Sequence, residues 1–202
     1  IERSKNKPSL NFIGCGNYAR TILIPIFYKE NVELNTIYAN NGLAPSQLAK
    51  KFKFRKASTD TELCFTDKTP NTIVICTRHD THSKFIIEAL NNNKNVYVEK
   101  PICLNIEELK LIEKTYKKKL AQKNPPILMI GFNRRFAPLV KILKNQLDKI
   151  QGPKSIIYTC NAGFVDSNNW IHDKKIGGGR LIGEACHFVD LIRFLIGNRI
   201  VN

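Results

Sequence analysis

The residues with the clearest chemical meaning lie close to the start of the chain. An apolar run that includes Phe12 leads into the pattern Gly14-x-Gly16-x-x-Ala19, and an apolar helical pattern follows at once. In such a strand–turn–helix unit the first glycine allows a sharp turn, the second allows close approach of a ligand, and the alanine lets the helix pack on the strand. A helix start of this kind attracts a pyrophosphate. A purely structural turn is the alternative. The candidate binding residues are Gly14, Gly16, Asn17, Tyr18 and Ala19.

A lysine follows a second buried strand. Lys100 stands between Glu99 and Pro101, directly after the predicted strand Asn95–Val98, and ligands of open parallel sheets bind at the carboxyl ends of the strands. The proline keeps Lys100 out of helical geometry, so an extended backbone presents its side chain. A lysine at this place can polarise a carbonyl or hold a hydroxyl during hydride transfer. A solvated surface lysine is the alternative.

A third set of polar side chains recurs along the last predicted helix, about residues 181–196. This helix is apolar nearly all round, which is typical of a buried helix, and its polar residues share one stripe. Glu184 lies one turn before His187, which predicts that the carboxylate orients the imidazole and favours its protonated form. A solvent-facing stripe or a structural histidine is the alternative. The stripe consists of Arg180, Glu184, His187, Asp190 and Arg193.

Further candidates accompany these three groups. Thr77 and Arg78 end the apolar strand that begins at Thr72, and His82 opens the next helix, where a neutral imidazole could reach a ribose. A helix-start residue without function is the alternative for His82. Arg134 and Arg135 are candidate clamps for an anionic substrate group, or they solvate a linker.

A polar loop supplies two more candidates. Trp170 could stack on a sugar ring or fill the core, and His172 lies in the same loop.

The position that holds an adenosine ribose in many nucleotide-binding units carries no acid here. That acid stands about 20 residues past the glycine turn, where this chain reads Tyr38-Ala-Asn40-Asn-Gly42, with no arginine nearby. Asn40 is the candidate acceptor for one ribose hydrogen bond. The choice between NAD and NADP therefore stays open.

The elements that must position these residues alternate between strands and helices. Asn105, followed by Glu108, predicts the capped start of a long helix. Short connections between such elements predict a parallel sheet with helices on both faces, an α/β fold. Pro125-Pro126 mark the predicted boundary between a first domain, residues 1–126, and a second, residues 127–202. Beyond it only one further strand, Lys154–Gly163, is predicted, so the second domain is expected to be cut short.

The composition of the chain limits the classes of function that the protein can have. The 202 residues are 43% hydrophobic and 24% charged, which indicates a globular protein, and no apolar run reaches the length of a membrane span. The net charge of +15 permits nucleic-acid binding, but the lysines are scattered and no nucleic-acid fold signature accompanies them. The start at Ile1 suggests an internal piece of a longer protein.

The six cysteines show no CxxC pair. This pattern favours reduced thiols, a cytoplasmic location and no structural zinc or other metal site.

Taken together, the motifs resemble the glucose-fructose oxidoreductase/inositol dehydrogenase (Gfo/Idh/MocA) family. The matching pieces are the glycine turn from Gly14 to Ala19, Thr77 with His82, Glu99-Lys100-Pro101, and Gly177-Gly-Gly179 followed by His187 and Asp190. Three stretches are closer still to the oxidoreductase half of proteins fused to a zinc-alcohol-dehydrogenase-like part. They are Thr77–Asp80, Gly131–Pro138 and Gly179–Asp190.

The resemblance implies an N-terminal Rossmann domain, a truncated α/β substrate domain, and oxidation or reduction of a sugar, nucleotide-sugar or polyol-like alcohol with NAD or NADP. It implies that His187 is the base and Lys100 its electrostatic and proton-shuttling partner. It also implies a homo-oligomer. From the composition, neither nucleic acid nor a membrane is expected as a partner. Many members carry Asp where this chain has Gly183, and Glu184 lies next to that position but about 100° around the helix. A nucleotide-binding module without catalysis is the alternative.

Overall fold

The computed structural model describes residues 7–201, and the chain divides into one compact unit that ends at Ile130 and another that begins at Gly131. The first unit contains six parallel strands among its described residues. They are β1 (Ser9–Ile13), β2 (Glu33–Tyr38), β3 (Lys56–Ser58), β4 (Thr72–Ile75), β5 (Asn95–Val98) and β6 (Leu128–Ile130). The sheet order β3-β2-β1-β4-β5-β6 is that of a dinucleotide-binding doubly wound fold. The predicted α/β class is confirmed. The predicted domain boundary, after residue 126, falls just before β6, which pairs with β5 in the first unit.

Helices cover both faces of this sheet. Side chains alternate between the faces, so Phe12 packs in one apolar cluster with Leu23 and Ile24, whereas Ile13 packs in the other with Ile86. Both faces of the central strands are therefore buried, as their continuous apolar sequences predict. The helices of the first unit are α1 (Ile24–Lys29), α2 (Leu43–Phe52), α3 (Leu63–Thr66), α4 (His82–Asn91) and α5 (Ile106–Leu120).

The helix after the glycine turn is not uniform. A π-helical turn, Ala19–Leu23, precedes α1, and Pro25 lies in the first turn of α1. A proline has no N–H to donate to the preceding turn, and the first turn of a helix is where that loss is tolerated. Pro25 is therefore tolerated here, with a wider helical turn between it and the glycine motif.

A buried polar pair shapes the strand that leads to the ribose position. The register of β1 against β2 shifts between Leu10 and Asn11. Asn11 Oδ1 accepts hydrogen bonds from the backbone N–H of Thr36 at 3.1 Å and from Asn35 Nδ2 at 3.0 Å. Since an irregularity in a ladder leaves a backbone group without its regular partner, the Asn11 side chain supplies that partner at Thr36, in the middle of β2.

The second unit contains two helices of more than two turns in its described part. They are α6 (Pro138–Leu147) and α7 (Cys186–Ile196), and a π-helical turn, Leu181–Ala185, leads into α7. The prediction of a strand at residues 154–163 is wrong, because the structure describes these residues and they form no strand. A strand needs a neighbour for its backbone hydrogen bonds, and none of the described residues pairs with this segment.

The expectation that the last helix is buried nearly all round is also wrong. Leu181 is 82% exposed and Val189 is 51% exposed, while Leu191 and Leu195 are buried. One side of α7 therefore packs and the other does not. No helix among residues 7–201 is long and apolar enough to cross a membrane.

Candidate functional site

The carboxyl edge of the sheet brings four predicted segments side by side. Gly14, which follows β1, donates its N–H to the last carbonyl of β2 at 2.8 Å. Cys76, which follows β4, donates to the last carbonyl of β1 at 2.8 Å, and Glu99, which follows β5, donates to the last carbonyl of β4 at 3.0 Å. Adjacent strands are about 4.8 Å apart. The glycine turn, the Thr77 segment and the Lys100 segment therefore lie next to one another, with the Asn40 segment on the far side of the glycine turn.

The two glycines of the turn meet different surroundings. Gly14 has a φ of +95°, and a Cβ placed on it would lie 2.5 Å from the Cys76 carbonyl oxygen. Gly14 is thus required by the packing of the protein itself. A Cβ on Gly16 would have only one neighbour, 4.0 Å away, so no protein contact requires a glycine there. The space in front of Gly16 fits the close approach of a pyrophosphate.

The helix start beyond Gly16 is suited to binding an anion. Arg20 N donates to Gly16 O at 3.0 Å, and the N–H groups of the residues before it belong to the first turn, which has no intrahelical acceptor for them. The turn contains no acidic residue. Asn17 and Tyr18 are exposed at this turn and Ala19 is buried under it. The residues present therefore fit a nucleotide pyrophosphate.

Thr77 and the residues after it form a compact turn at the same edge. The hydroxyl oxygens of Thr77 and Thr81 lie 2.6 Å apart, and the Thr81 hydroxyl donates to the Arg78 carbonyl at 2.8 Å. Arg78 has an extended backbone at the start of the short 3-10 turn His79–Thr81. These bonds fix the loop that leads from β4 into α4.

His82, the first residue of α4, is completely buried. Its Nδ1 lies 2.7 Å from the Pro101 carbonyl oxygen, and its Nε2 lies 3.1 Å from the Thr77 carbonyl oxygen. The ring therefore joins the loop after β4 to the loop after β5. This geometry gives His82 a part in holding the Thr77 and Lys100 segments, rather than a direct reach to a ribose.

The burial of His82 has a consequence for stability at low pH. Burial lowers the pKa of His82 below its ordinary 6.5, although the Pro101 and Thr77 carbonyls and Asp80 act in the opposite direction. The unfolded chain then binds the proton more readily than the folded one, so stability falls as the pH drops through about 6.5 and the loss is complete below the lowered folded pKa.

We expect His82→Gln, which cannot take up that proton, to reduce the pH dependence by up to about 1.4 kcal/mol per pH unit over this window. Urea unfolding of both proteins between pH 7 and pH 5 measures the difference. Parallel curves would show that His82 does not titrate on unfolding.

Glu99 and Lys100 directly follow β5. Tyr97 donates its hydroxyl proton to Glu99 Oε1 at 2.8 Å, and burial raises the pKa of the Glu99 carboxyl. Tyr97 also packs edge-on against Phe27, so Glu99 is held on the α1 side of the sheet. Lys100 is half-buried, and its peptide bond to Pro101 is cis.

Asn40 is exposed after the end of β2, as predicted. The structure adds a residue that the sequence spacing did not single out as a site residue. Asp60 follows β3, the neighbour of β2, and so reaches the same edge. Only the strand order reveals this, since Asp60 otherwise has the sequence pattern of a helix cap.

In the second unit, Glu184 is bound by an arginine. Arg180 Nε donates to Glu184 Oε2 at 3.0 Å, and another nitrogen of Arg180 donates to the Gly163 carbonyl at 3.1 Å. His187 is half-buried and meets the ring of Phe132 edge-on, with 6.1 Å between the ring centres. The observed bonds of Glu184 thus tie it to Arg180, and the π-helical turn changes its phase relative to His187.

The two predicted substrate arginines differ. Arg135 forms a two-point ion pair with Asp190, which is only 7% exposed, with Nε donating to Oδ2 at 2.6 Å. This pair holds α7 against the segment before α6, which points to a structural role for Arg135. Arg134 lies over the ring of Phe188, 5.0 Å from its centre, and is exposed.

Trp170 and His172 lie in a short 3-10 turn that Asn169 caps. Trp170 is half-buried and His172 is exposed. A Cβ on Gly177 would lie 2.5 Å from Ile171 Cα, so this glycine lets its loop pack on the turn. Among residues 7–201 no three His, Cys, Asp or Glu side chains are grouped as a metal site.

Known proteins match this chain over most of its length. The scyllo-inositol 2-dehydrogenase (NAD(+)) of Bacillus subtilis is 30% identical over 158 residues, which are 77% of this chain and 44% of that protein. The myo-inositol 2-dehydrogenase of Thermotoga maritima is 27% identical over 157 residues, 76% of this chain and 44% of that protein. The chain thus spans about half the length of the curated relatives it matches.

Solved structures agree with the fold. Levoglucosan dehydrogenase in complex with NADH and levoglucosan aligns with a TM-score of 0.78 at 22% identity, over 96% of this chain and 55% of that one. An oxidoreductase domain protein from Kribbella flavida aligns with a TM-score of 0.75 at 22% identity, over 96% and 55%. The model of the oxidoreductase family with an NAD-binding Rossmann fold matches residues 10–125, more than half of the chain. With its glycine turn and Glu99-Lys100-Pro101 side by side at one sheet edge, this chain belongs to the Gfo/Idh/MocA family of oxidoreductases, whose Rossmann fold binds NAD.

Proposed function

We propose that this chain carries the cofactor site and the catalytic residues of a dehydrogenase that oxidises a secondary alcohol of a sugar, nucleotide sugar or polyol. One observation supports this above the others: the glycine turn, the Thr77 loop and Lys100 lie side by side at the carboxyl edge of the sheet. The relatives point to the substrate class, because they include two inositol dehydrogenases and a levoglucosan dehydrogenase.

Each group at the edge has a part in this proposal. The helix start beyond Gly16 holds the pyrophosphate, and Asn40 accepts a hydrogen bond from the adenosine ribose. A bound nicotinamide supplies the chemistry of hydride transfer. Lys100 stabilises negative charge on the reacting oxygen, because water screens a half-buried ammonium group less than an exposed one. His82 keeps the Thr77 and Lys100 loops joined.

His187 is the proposed base that takes the hydroxyl proton of the alcohol. Its neighbours in the second unit prepare it for this role. The Arg135–Asp190 pair holds α7, which carries His187, and Phe132 contacts the imidazole from the side. Arg134 and Trp170 stay proposed contacts for the substrate, and His172 a further polar one.

A second candidate function is a nucleotide-binding module without turnover. Two observations favour it. Gly183 stands where many family members carry an acid, and the carboxylate of Glu184 is bound by Arg180. In that case the edge of the first unit binds NAD, and no carboxylate supports His187 as a base.

One experiment separates the two candidates. The chain is titrated with NADH and with NADPH while nicotinamide fluorescence is followed, and cyclic polyols and sugars are then added with NAD⁺ while nicotinamide absorbance is followed. Binding together with substrate-dependent reduction of NAD⁺ supports the dehydrogenase. Binding without reduction across inositols, levoglucosan and hexoses supports the module, and a lack of binding contradicts both.

A further inference from the structure

The negative charge that is missing from the end of β2 is present at the end of the neighbouring strand. Tyr38 of β2 pairs with Ser58 of β3. Asn40 and Asp60 each follow their strand at the same offset, two residues after this pair. The bond from Ala39 N to Ser58 O, at 3.2 Å, continues the pairing past the last paired residues. Asp60 is therefore the residue of β3 that corresponds to Asn40 at the edge.

Local hydrogen bonds hold Asp60 in this place. Its N–H donates to the Ser58 hydroxyl at 3.1 Å, and its Oδ1 accepts from the N–H of Glu62 at 3.1 Å. Asp60 is exposed, so its carboxylate is accessible to a ligand at this edge. The charge stays at the edge because both ends of this short segment are fixed.

Other charged groups near this edge have different positions. The Asp67 carboxylate accepts hydrogen bonds from Asn35 Nδ2 at 3.2 Å and from the N–H of Thr69 at 3.0 Å. Lys56 lies at the opposite end of the three-residue β3. Burial in the first place, with the carboxylates of Asp67 and Asp60 among further causes, raises the pKa of Tyr38 to about 12. The carboxylates of Asp67 and Asp60 thus both act against added negative charge at Tyr38, the last residue of β2.

We propose that Asp60 sets the choice between the two nicotinamide cofactors, because its carboxylate repels the 2′-phosphate of NADP at the adenosine ribose. Asp60, after β3, then performs the role that an acid at the end of β2 commonly has. Asn40 contributes a hydrogen bond without a charge. The site accordingly favours NAD. This inference rests on the proposed function, since it requires a nicotinamide dinucleotide at this edge.

The test compares dissociation constants of NADH and NADPH, measured by nicotinamide fluorescence, for the wild-type chain and Asp60→Asn. Asparagine retains a side-chain oxygen that caps the following turn, so the variant is expected to fold. We expect NADPH to bind about fivefold more tightly to the variant, as for a carboxylate and a phosphate of charge about −2 roughly 8 Å apart in water. NADH affinity is expected to stay unchanged.

Two controls sharpen the result. Glu113→Gln makes the same change in net charge as Asp60→Asn, but on the exposed face of α5, where Glu113 pairs with Lys117. It should leave the ratio of the NADH and NADPH dissociation constants unchanged. Added salt should shrink the Asp60→Asn effect. An unchanged ratio in Asp60→Asn, or an equal change in Glu113→Gln, overturns the inference while cofactor binding stands. A wild-type chain that binds neither nucleotide overturns the proposed function as well.

Discussion

Replacement of Lys100 by alanine is expected to lower turnover about 10²–10⁴-fold, the range for loss of a group that takes part in proton transfer. Lys100 follows β5 at the edge where the glycine turn and the Thr77 loop also lie, and the role proposed for its ammonium group is at the reacting oxygen rather than at the pyrophosphate. Cofactor affinity should therefore change much less than turnover. Steady-state rates and NADH fluorescence titrations of the same samples measure both quantities.

Lys114→Ala is a matched control, because Lys114 lies on the exposed side of α5 and loses the same charge. His187→Ala should cause a loss of similar size if His187 is the base. If both residues serve one proton-transfer step, the double variant should be little worse than either single variant. Turnover close to that of the wild-type chain in Lys100→Ala would remove this lysine from the chemistry.

Replacement of Gly14 by alanine is expected to lower the free energy of unfolding by about 2–5 kcal/mol, from backbone strain and a steric overlap together. The φ of +95° disfavours any residue with a Cβ, and the added carbon would lie 2.5 Å from the Cys76 carbonyl oxygen, which belongs to the backbone and cannot turn away. Urea unfolding followed by circular dichroism measures this loss.

Gly16→Ala is the matched variant, with the opposite expected outcome. Its added Cβ meets one atom at 4.0 Å, so the free energy of unfolding should stay within about 1 kcal/mol of the wild-type value. The methyl group would occupy the space proposed for the pyrophosphate, so NADH should bind at least about tenfold more weakly, equal to about 1.4 kcal/mol. Normal NADH affinity in Gly16→Ala would show that the cofactor does not approach this turn.

Much of the first unit could be predicted because its signals are local. β5 has the predicted bounds, Asn95–Val98, because an apolar β-branched run is by itself a signal of a buried strand. Asn105 Oδ1 accepts from the N–H of Glu108 at 2.9 Å, and Glu108 Oε2 accepts from the N–H of Leu104 at 2.9 Å. The capping-box pattern therefore gave the start of α5 correctly, because its partners lie within four residues.

The predictions for the second unit were weaker for a physical reason. An extended apolar segment becomes a strand only if another strand accepts its hydrogen bonds, and residues 154–163 resemble a strand without such a partner in the described chain. Likewise the π-helical turn before α7 shifts the faces of the last helix, and a regular helical period cannot anticipate this shift.

By itself, the sequence determined the parallel α/β sheet, the glycine turn and the position of Lys100 after β5, because these depend on patterns within one element and its flanks. Only the tertiary structure decided which distant groups meet. It joined His82 to the carbonyls of Thr77 and Pro101, and it brought Asp60 to the edge beside Asn40. Sheet order and hydrogen-bond partners arise from packing between segments far apart in the chain, and no local spacing encodes them.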